Sequence, residues 1–216
     1  MPTLLLTAFE PFGDDRLNAS AEVLHLLAPD LSSAIETHTS ILPVDSVRAP
    51  ERIRSLLYSL RPDWCVMLGQ ANGRAALSVE RVAVNLLDFR IPDNGGHQPI
   101  DQPVVMDGPA AYFSTLPVKQ LVAAAREVGT PAEQSLTAGA FLCNQASYVV
   151  LHTCAVEGLP TRCGFVHVPV LPEQVTEGRM TPSMELETMR RGLRAMLAAL
   201  VAEANVADEA EALLIS

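Results

Sequence analysis

Short runs of uninterrupted apolar residues alternate along this chain with longer segments whose apolar residues recur every three or four positions. The strand-length runs lie at Thr3–Ala8, Ile35–Val44, Cys65–Leu68 and Gly164–Val170, with an extended stretch at Ala76–Leu87 and a short strand near Gln134–Thr137. Helical patterns lie near Ser20–Leu27, from about Asp45 to Leu60, from Pro117 to Val128, from about Phe141 to Val156 and from Met184 to Ala204. The second aligns Ile53, Leu56, Leu57 and Leu60 on one face, and the last aligns Met189, Leu193, Met196, Leu197 and Leu200. Thr115 is placed to cap the helix from Pro117, and Gly129 to stop it. Strands that are apolar throughout must be covered on both faces. The pattern therefore predicts an α/β fold: a three-layer αβα sandwich around a twisted, mostly parallel sheet, in a single domain. In such a fold the βα loops gather at the carboxyl edge of the sheet, and ligand chemistry is expected there.

Composition excludes several classes. The formal charge of −10, with an acidic end at Glu203, Asp208, Glu209 and Glu211, argues against nucleic acid, because phosphate binding needs a basic patch. That end reads as a solvated, frayed terminus. The longest N-terminal apolar run, Leu4–Ala8, is too short for a membrane span and has no basic segment before it, so a cytoplasmic protein with no membrane partner is expected. In that compartment Cys65, Cys143, Cys154 and Cys163 are thiols, their spacing offers no zinc pattern, and the triplet Asn18-Ala19-Ser20 carries no glycan.

Cys143 differs from the other thiols because it falls in the first turn of a helix that follows a glycine-containing turn. A helix N-terminus favours a thiolate and lowers its pKa. From Cys143 the helix runs ~20 Å to about Glu157, and a strand from about Thr161 returns ~20 Å by His167, at standard rises per residue. The two therefore finish near each other, as a nucleophile and its general base must. Glu80, flanked by apolar residues, is costly as an unpaired carboxylate and would be satisfied by an imidazolium. Each residue also has an ordinary reading: Cys143 as a small core residue, His167 as a satisfied core histidine, Glu80 as the ion-pair partner of Arg74 or Arg81. His25, His38, His97 and His152 read as surface or loop residues. The loop "GQANGR" lacks both the P-loop lysine and the dinucleotide spacing. In "FEPFG", proline and glycine end the first strand, which puts Phe9 and Phe12 on an irregular surface segment where two rings should cover something.

The segments "TAFEPFG", "GQANGR", "ERVAVNLLDFRIPDN", "DGPAAYFSTLPVK", "TAGAFLCN" and "GFVHVPVLPEQ" resemble, in this order, the motif blocks of the pyroglutamyl peptidase I (pyrrolidone carboxyl peptidase) family over residues 3 to about 174. The resemblance implies an αβα fold, removal of N-terminal pyroglutamate from peptides, no cofactor or metal, a homotetramer, and a Cys–His–Glu triad carried by Cys143, His167 and Glu80. Pyroglutamate is a neutral flat lactam, so an apolar slot is required, with Phe9 and Phe12 as walls. By resemblance Ile91, Phe141 and Leu142 line the rest. Gln70 is a candidate to bond the lactam or hold its loop. Arg90 and backbone N–H groups around Cys143 are oxyanion candidates. Gln145, Phe89, Ala140 and Leu142 depart from the family pattern and bear on the pocket's shape. Two alternatives stay open: a nucleoside-phosphorylase-like enzyme on the same architecture, which needs a phosphate site, and a non-catalytic binder of pyroglutamyl N-termini.

Overall fold

A computed structural model describes residues 1–28, 35–175 and 181–215, the stretch 204–215 by its backbone. Six strands, β1 (Thr3–Phe9), β2 (Glu36–Leu42), β3 (Trp64–Gln70), β4 (Leu77–Glu80), β7 (Ala132–Ser135) and β8 (Arg162–Val168), form one sheet in the order β2-β1-β3-β8-β4-β7. Strands β2, β1, β3 and β8 are mutually parallel. Strand β4 runs antiparallel to β8 and parallel to β7. Strands β1, β3 and β8 are buried on both faces because each face has its own core. Leu4, Leu6 and Ala8 of β1, with Val66, Leu68, Val166 and Val168, pack under α1 (Ala19–Leu27), α3 (Val118–Glu127) and α5 (Leu186–Ile215). Leu5 and Phe9, with Cys65, Met67, Cys163 and Phe165, pack under α2 (Arg48–Leu60) and α4 (Leu142–Glu157). The expected three-layer αβα sandwich is therefore present, with a mostly parallel sheet.

Several local expectations are corrected. The stretch Ala76–Leu87 is not one strand. After β4 the chain leaves the sheet, and β5 (Val82–Val84) pairs antiparallel with β6 (Ala111–Phe113), a strand too short to carry a readable period. Strand β7 lies two residues ahead of its expected place. Helix α2 starts at Arg48 because Asp45 stands outside it, its Oδ1 accepting from the N–H groups of Val47 and Arg48 at 2.9 Å each. Thr115 does not cap α3; its hydroxyl accepts from Cys163 N–H at 2.6 Å and so ties the segment to β8. Gly129 does follow α3, at φ 76°. The backbone of α5 stays helical to Ile215, and Glu203 is paired with Arg162 at 3.2 Å instead of standing free. Asn18 is the N-cap of α1, accepting from Ser20 N–H at 3.0 Å. No helix among the described residues is long and apolar enough to cross a membrane.

Candidate active site

The carboxyl ends of β3 and β8 lie side by side, with Gly69 opposite His167. Antiparallel β4 brings Ser78 opposite His167 and leaves Glu80 on the same face, one diagonal step away. His167 Nδ1 lies 2.8 Å from Glu80 Oε1, and both side chains are almost fully buried, at 3% and 2% exposure. A carboxylate only accepts, so Nδ1 carries the proton and Nε2 is left as the accepting nitrogen. The imidazole leans on Phe165, with ring centroids 4.8 Å apart. Helix α4 covers this face, and Cys143 sits in its first turn, half-buried.

Gly69 explains how the thiol comes so close to the sheet edge. A Cβ on Gly69 would lie 2.6 Å from Phe165 Cζ and 3.0 Å from Cys143 Sγ. Only a residue without a side chain lets the helix start settle here. No direct hydrogen bond joins Cys143 to His167 among the described residues, and the two are linked through the contacts at Gly69 and Phe165. Gly69→Ala is expected to slow iodoacetamide alkylation of Cys143 about tenfold and to lower stability by about 1–3 kcal/mol, the usual cost of overpacking. Thermal unfolding together with mass-resolved alkylation checks this, and wild-type values in both would remove Gly69 from the site.

The electrostatics of the thiol have more than one source. Burial, followed by the negative charge of Glu80, pushes the Cys143 thiol up to about 12, outweighing the downward pull of Arg74 and of its own N–H at the helix start. Burial pushes His167 below the ordinary histidine range, against the hydrogen bond and charge of Glu80 that favour imidazolium, while Arg74 pushes it further down. Both shifts favour the neutral thiol and the neutral imidazole over the ion pair. The helix N-terminus alone does not set the thiol's charge, because a buried sulfur loses more hydration than one turn of N–H groups returns.

Arg74, read from sequence as an alternative partner of Glu80, is a partner in addition to His167: its Nη1 lies 2.9 Å from the same Oε1. Arg81 points elsewhere, over the Phe113 ring at 5.1 Å. Asn144, which the sequence alone did not single out, is fully buried and makes three hydrogen bonds of 2.9 Å, to Val84 N and O and to Leu86 O. It clamps the segment leaving β5 to the first turn of α4. A buried amide in an apolar helix needs such partners, and that is the signal it offered.

The aromatic residues are arranged differently from expectation. Phe9 is the last residue of β1, 3% exposed, with its ring 6.4 Å from that of Phe165, so it belongs to the core floor and not to the turn. Glu10 Oε1, accepting from Val44 N–H at 2.9 Å, pins the bend that follows. Phe12 alone stands on the turn, half-exposed, its ring 5.2 Å from that of Phe141, which in turn lies 4.3 Å from that of Phe89. Phe89 is fully buried, Leu142 lies in the core beneath, and Ile91 is 51% exposed. Gln70 Oε1 accepts from Ala19 N at 2.7 Å and from Gln174 Nε2 at 2.9 Å, so it holds its loop. Ala140 O accepts from Asp88 N–H at 3.0 Å, and Gln145 Nε2 donates to Ser46 O at 2.8 Å. Arg90 is exposed, and no hydrogen bond or ion pair ties it to the site among the described residues. The remaining thiols, Cys65, Cys154 and Cys163, are buried, with Cys154 and Cys163 sulfurs 3.5 Å apart.

Fold and site together define an α/β protein with a thiol, an imidazole and a carboxylate gathered at the carboxyl edge of its sheet, the class to which cysteine hydrolases belong. The profile of the pyroglutamyl peptidase family matches residues 2–203. The pyrrolidone-carboxylate peptidase of Streptomyces coelicolor is 47% identical over 199 residues, 92% of each chain. Among solved structures, the pyrrolidone carboxyl peptidase of Thermococcus litoralis is 36% identical with a TM-score of 0.90, covering 95% of this chain and 96% of its own. Pyroglutamyl peptidase I of Bacillus amyloliquefaciens is 33% identical with a TM-score of 0.88, covering 92% and 94%. The chain belongs to the pyroglutamyl peptidase family.

Proposed function

We propose that this protein is a cysteine exopeptidase that removes pyroglutamate from the N-terminus of peptides, with Cys143 as nucleophile, His167 as general base and Glu80 as the group that orients the imidazole. The observation that carries the reading is the buried 2.8 Å bond from His167 Nδ1 to Glu80 Oε1, beside a half-buried thiol at a helix start, in a chain of this family. With the thiol pushed up and the imidazole pushed down, Cys143 gives its proton to His167 Nε2 as Sγ attacks the carbonyl that joins pyroglutamate to the next residue. The imidazolium then protonates the departing amine. Water, deprotonated by the same imidazole, cleaves the thioester, releasing pyroglutamate and returning the proton to Sγ. The N–H groups of the first turn of α4 have no intrahelical acceptor and are suited to the oxyanion, with Arg90 at the exposed rim as a second candidate.

The lactam slot is formed in this reading by Phe12 and Phe141, with Phe89 behind, Phe9 and Leu142 beneath and Ile91 at the mouth, while Gln70 braces the loop. Four free cysteines suit a reducing cytoplasm, and family resemblance supports a homotetramer, which light scattering on the purified protein would test. A neutral apolar slot should reject a free ammonium, at a cost of several kcal/mol. Matched chromogenic pyroglutamyl, prolyl and glutaminyl amides test this. We expect only the first to be cleaved efficiently, without added phosphate. Prolyl or glutaminyl cleavage within about tenfold, which is only ~1.4 kcal/mol, would overturn the lactam slot, and an absolute need for phosphate would point to a phosphorylase.

A further inference from the structure

Glu80 uses its two oxygens unequally. Oε1 is shared by His167 Nδ1 at 2.8 Å and Arg74 Nη1 at 2.9 Å, whereas Oε2 is buried without a hydrogen-bond partner. The second nitrogen of Arg74 reaches a different segment, as Nη2 donates to Thr137 O at 2.8 Å, in the turn that leads into α4 and Cys143. A guanidinium is a rigid planar fork, so fixing one nitrogen on Thr137 fixes where the other meets the carboxylate. Its side chain is 22% exposed, enough to reach across from the loop after β3 while its head lies among buried groups.

We infer that Arg74 is a positioning residue of the active site: it holds the oxygen to which His167 is bonded, and ties that oxygen to the turn that delivers Cys143. The inference rests on the cysteine-peptidase reading above. It joins three separate pieces of chain, the end of β4, the end of β8 and the start of α4, through one side chain. It also has an electrostatic consequence. An imidazolium formed on Oε1 must share that oxygen with a guanidinium, and the repulsion between them disfavours it. The same positive charge favours a thiolate at Cys143. The other charged or titratable groups on this face are Glu80 on β4, Cys143 on α4, and Glu133 on β7, whose Oε1 accepts from the hydroxyl of Ser78, the register partner of His167. Phe165 and Gly69 bring no charge, so Arg74 is the cation opposing the imidazolium.

The experiment compares the full-length wild type with Arg74→Met and Arg74→Lys. Imidazole NMR follows the titration of His167, identified by its loss in His167→Asn, and kcat and KM for a pyroglutamyl amide are measured across pH. Arg74→Met should raise the His167 midpoint by about one unit and move the acid limb of kcat/KM up with it, so that the extra loss of activity grows from none near pH 8 toward about tenfold at pH values well below the wild-type midpoint. Arg74→Lys keeps the charge but not the fork, so the midpoint should stay and kcat should fall at least about fivefold at unchanged KM. A wild-type midpoint and acid limb in Arg74→Met, with only a lowered Tm, would make Arg74 an ordinary structural ion pair. Should the Met variant not fold, the Lys variant decides, and wild-type kcat in it overturns the inference. Absence of wild-type turnover would sink the peptidase reading, while the NMR midpoints would still decide the place of Arg74.

Discussion

Cys143→Ser should fold as the wild type does and lose at least about a thousandfold in kcat/KM toward pyroglutamyl amides. The substitution exchanges sulfur for oxygen in the first turn of α4 and removes no packing contact of the size that would unfold the domain. Chemistry, however, is hit hard. Burial and Glu80 already push the thiol up to about 12, so the wild type reaches a thiolate only by handing its proton to His167 as attack begins. A serine hydroxyl is a far weaker acid than a thiol, and His167 is itself held below the ordinary histidine range by burial. An imidazole of lowered basicity cannot draw that proton at a useful rate. Iodoacetamide should label Cys143 first, because Cys65, Cys154 and Cys163 are buried while Cys143 is only half-buried. Labelling of another cysteine first, or a Ser variant of wild-type speed, would remove Cys143 as nucleophile.

The fold was legible where a local pattern has one structural solution. Leu4, Leu6 and Ala8 face one core and Leu5 and Phe9 the other, so an apolar run at β1 could only be a strand covered on both sides. The same alternation, carried one residue further, would have kept Phe9 in the strand; Pro11 does stop the chain, but after Glu10 N–H has bonded Leu42 O. What escaped is what depends on partners remote in sequence. Nothing local to Val82–Val84 announces that it leaves the sheet for Ala111–Phe113, and nothing in Thr115 tells a cap from a tie to β8. At the site, the cost of burying Glu80 pointed to a cationic partner, and both candidates, His167 and Arg74, are found on one oxygen. The position of Cys143 at a helix start was readable. The upward push on its thiol was not, because that follows from burial and from Glu80, two features assembled only by the fold.

Removing His167 and neutralising Glu80 should have unequal effects, because one group moves the proton and the other holds and charges the ring. His167→Ala leaves Cys143 without a base, and turnover should fall by at least about a thousandfold at every pH. Glu80→Gln keeps an amide oxygen able to accept from Nδ1 and from Arg74, so geometry survives while the negative charge is lost. The imidazolium, disfavoured by burial already, then loses its counter-charge, and the plateau of kcat/KM should fall by about ten- to a hundredfold. The pH profile separates this from simple damage. Neutral imidazole is the active form, so the wild type should keep its activity as pH falls through the ordinary histidine range and lose it only below, in keeping with the lowered value of His167. Without the Glu80 charge, His167 is driven lower still, and the acid limb of Glu80→Gln should lie at lower pH than that of the wild type. Arg74→Met acts on the same oxygen with the opposite sign and should move the limb upward. Opposite shifts from two substitutions that meet at Glu80 Oε1 would be hard to obtain from loss of stability, which moves both in one direction. A Glu80→Gln enzyme that matched the wild type in plateau and limb would instead make Glu80 a structural carboxylate, leaving Cys143 and His167 to act without an orienting partner.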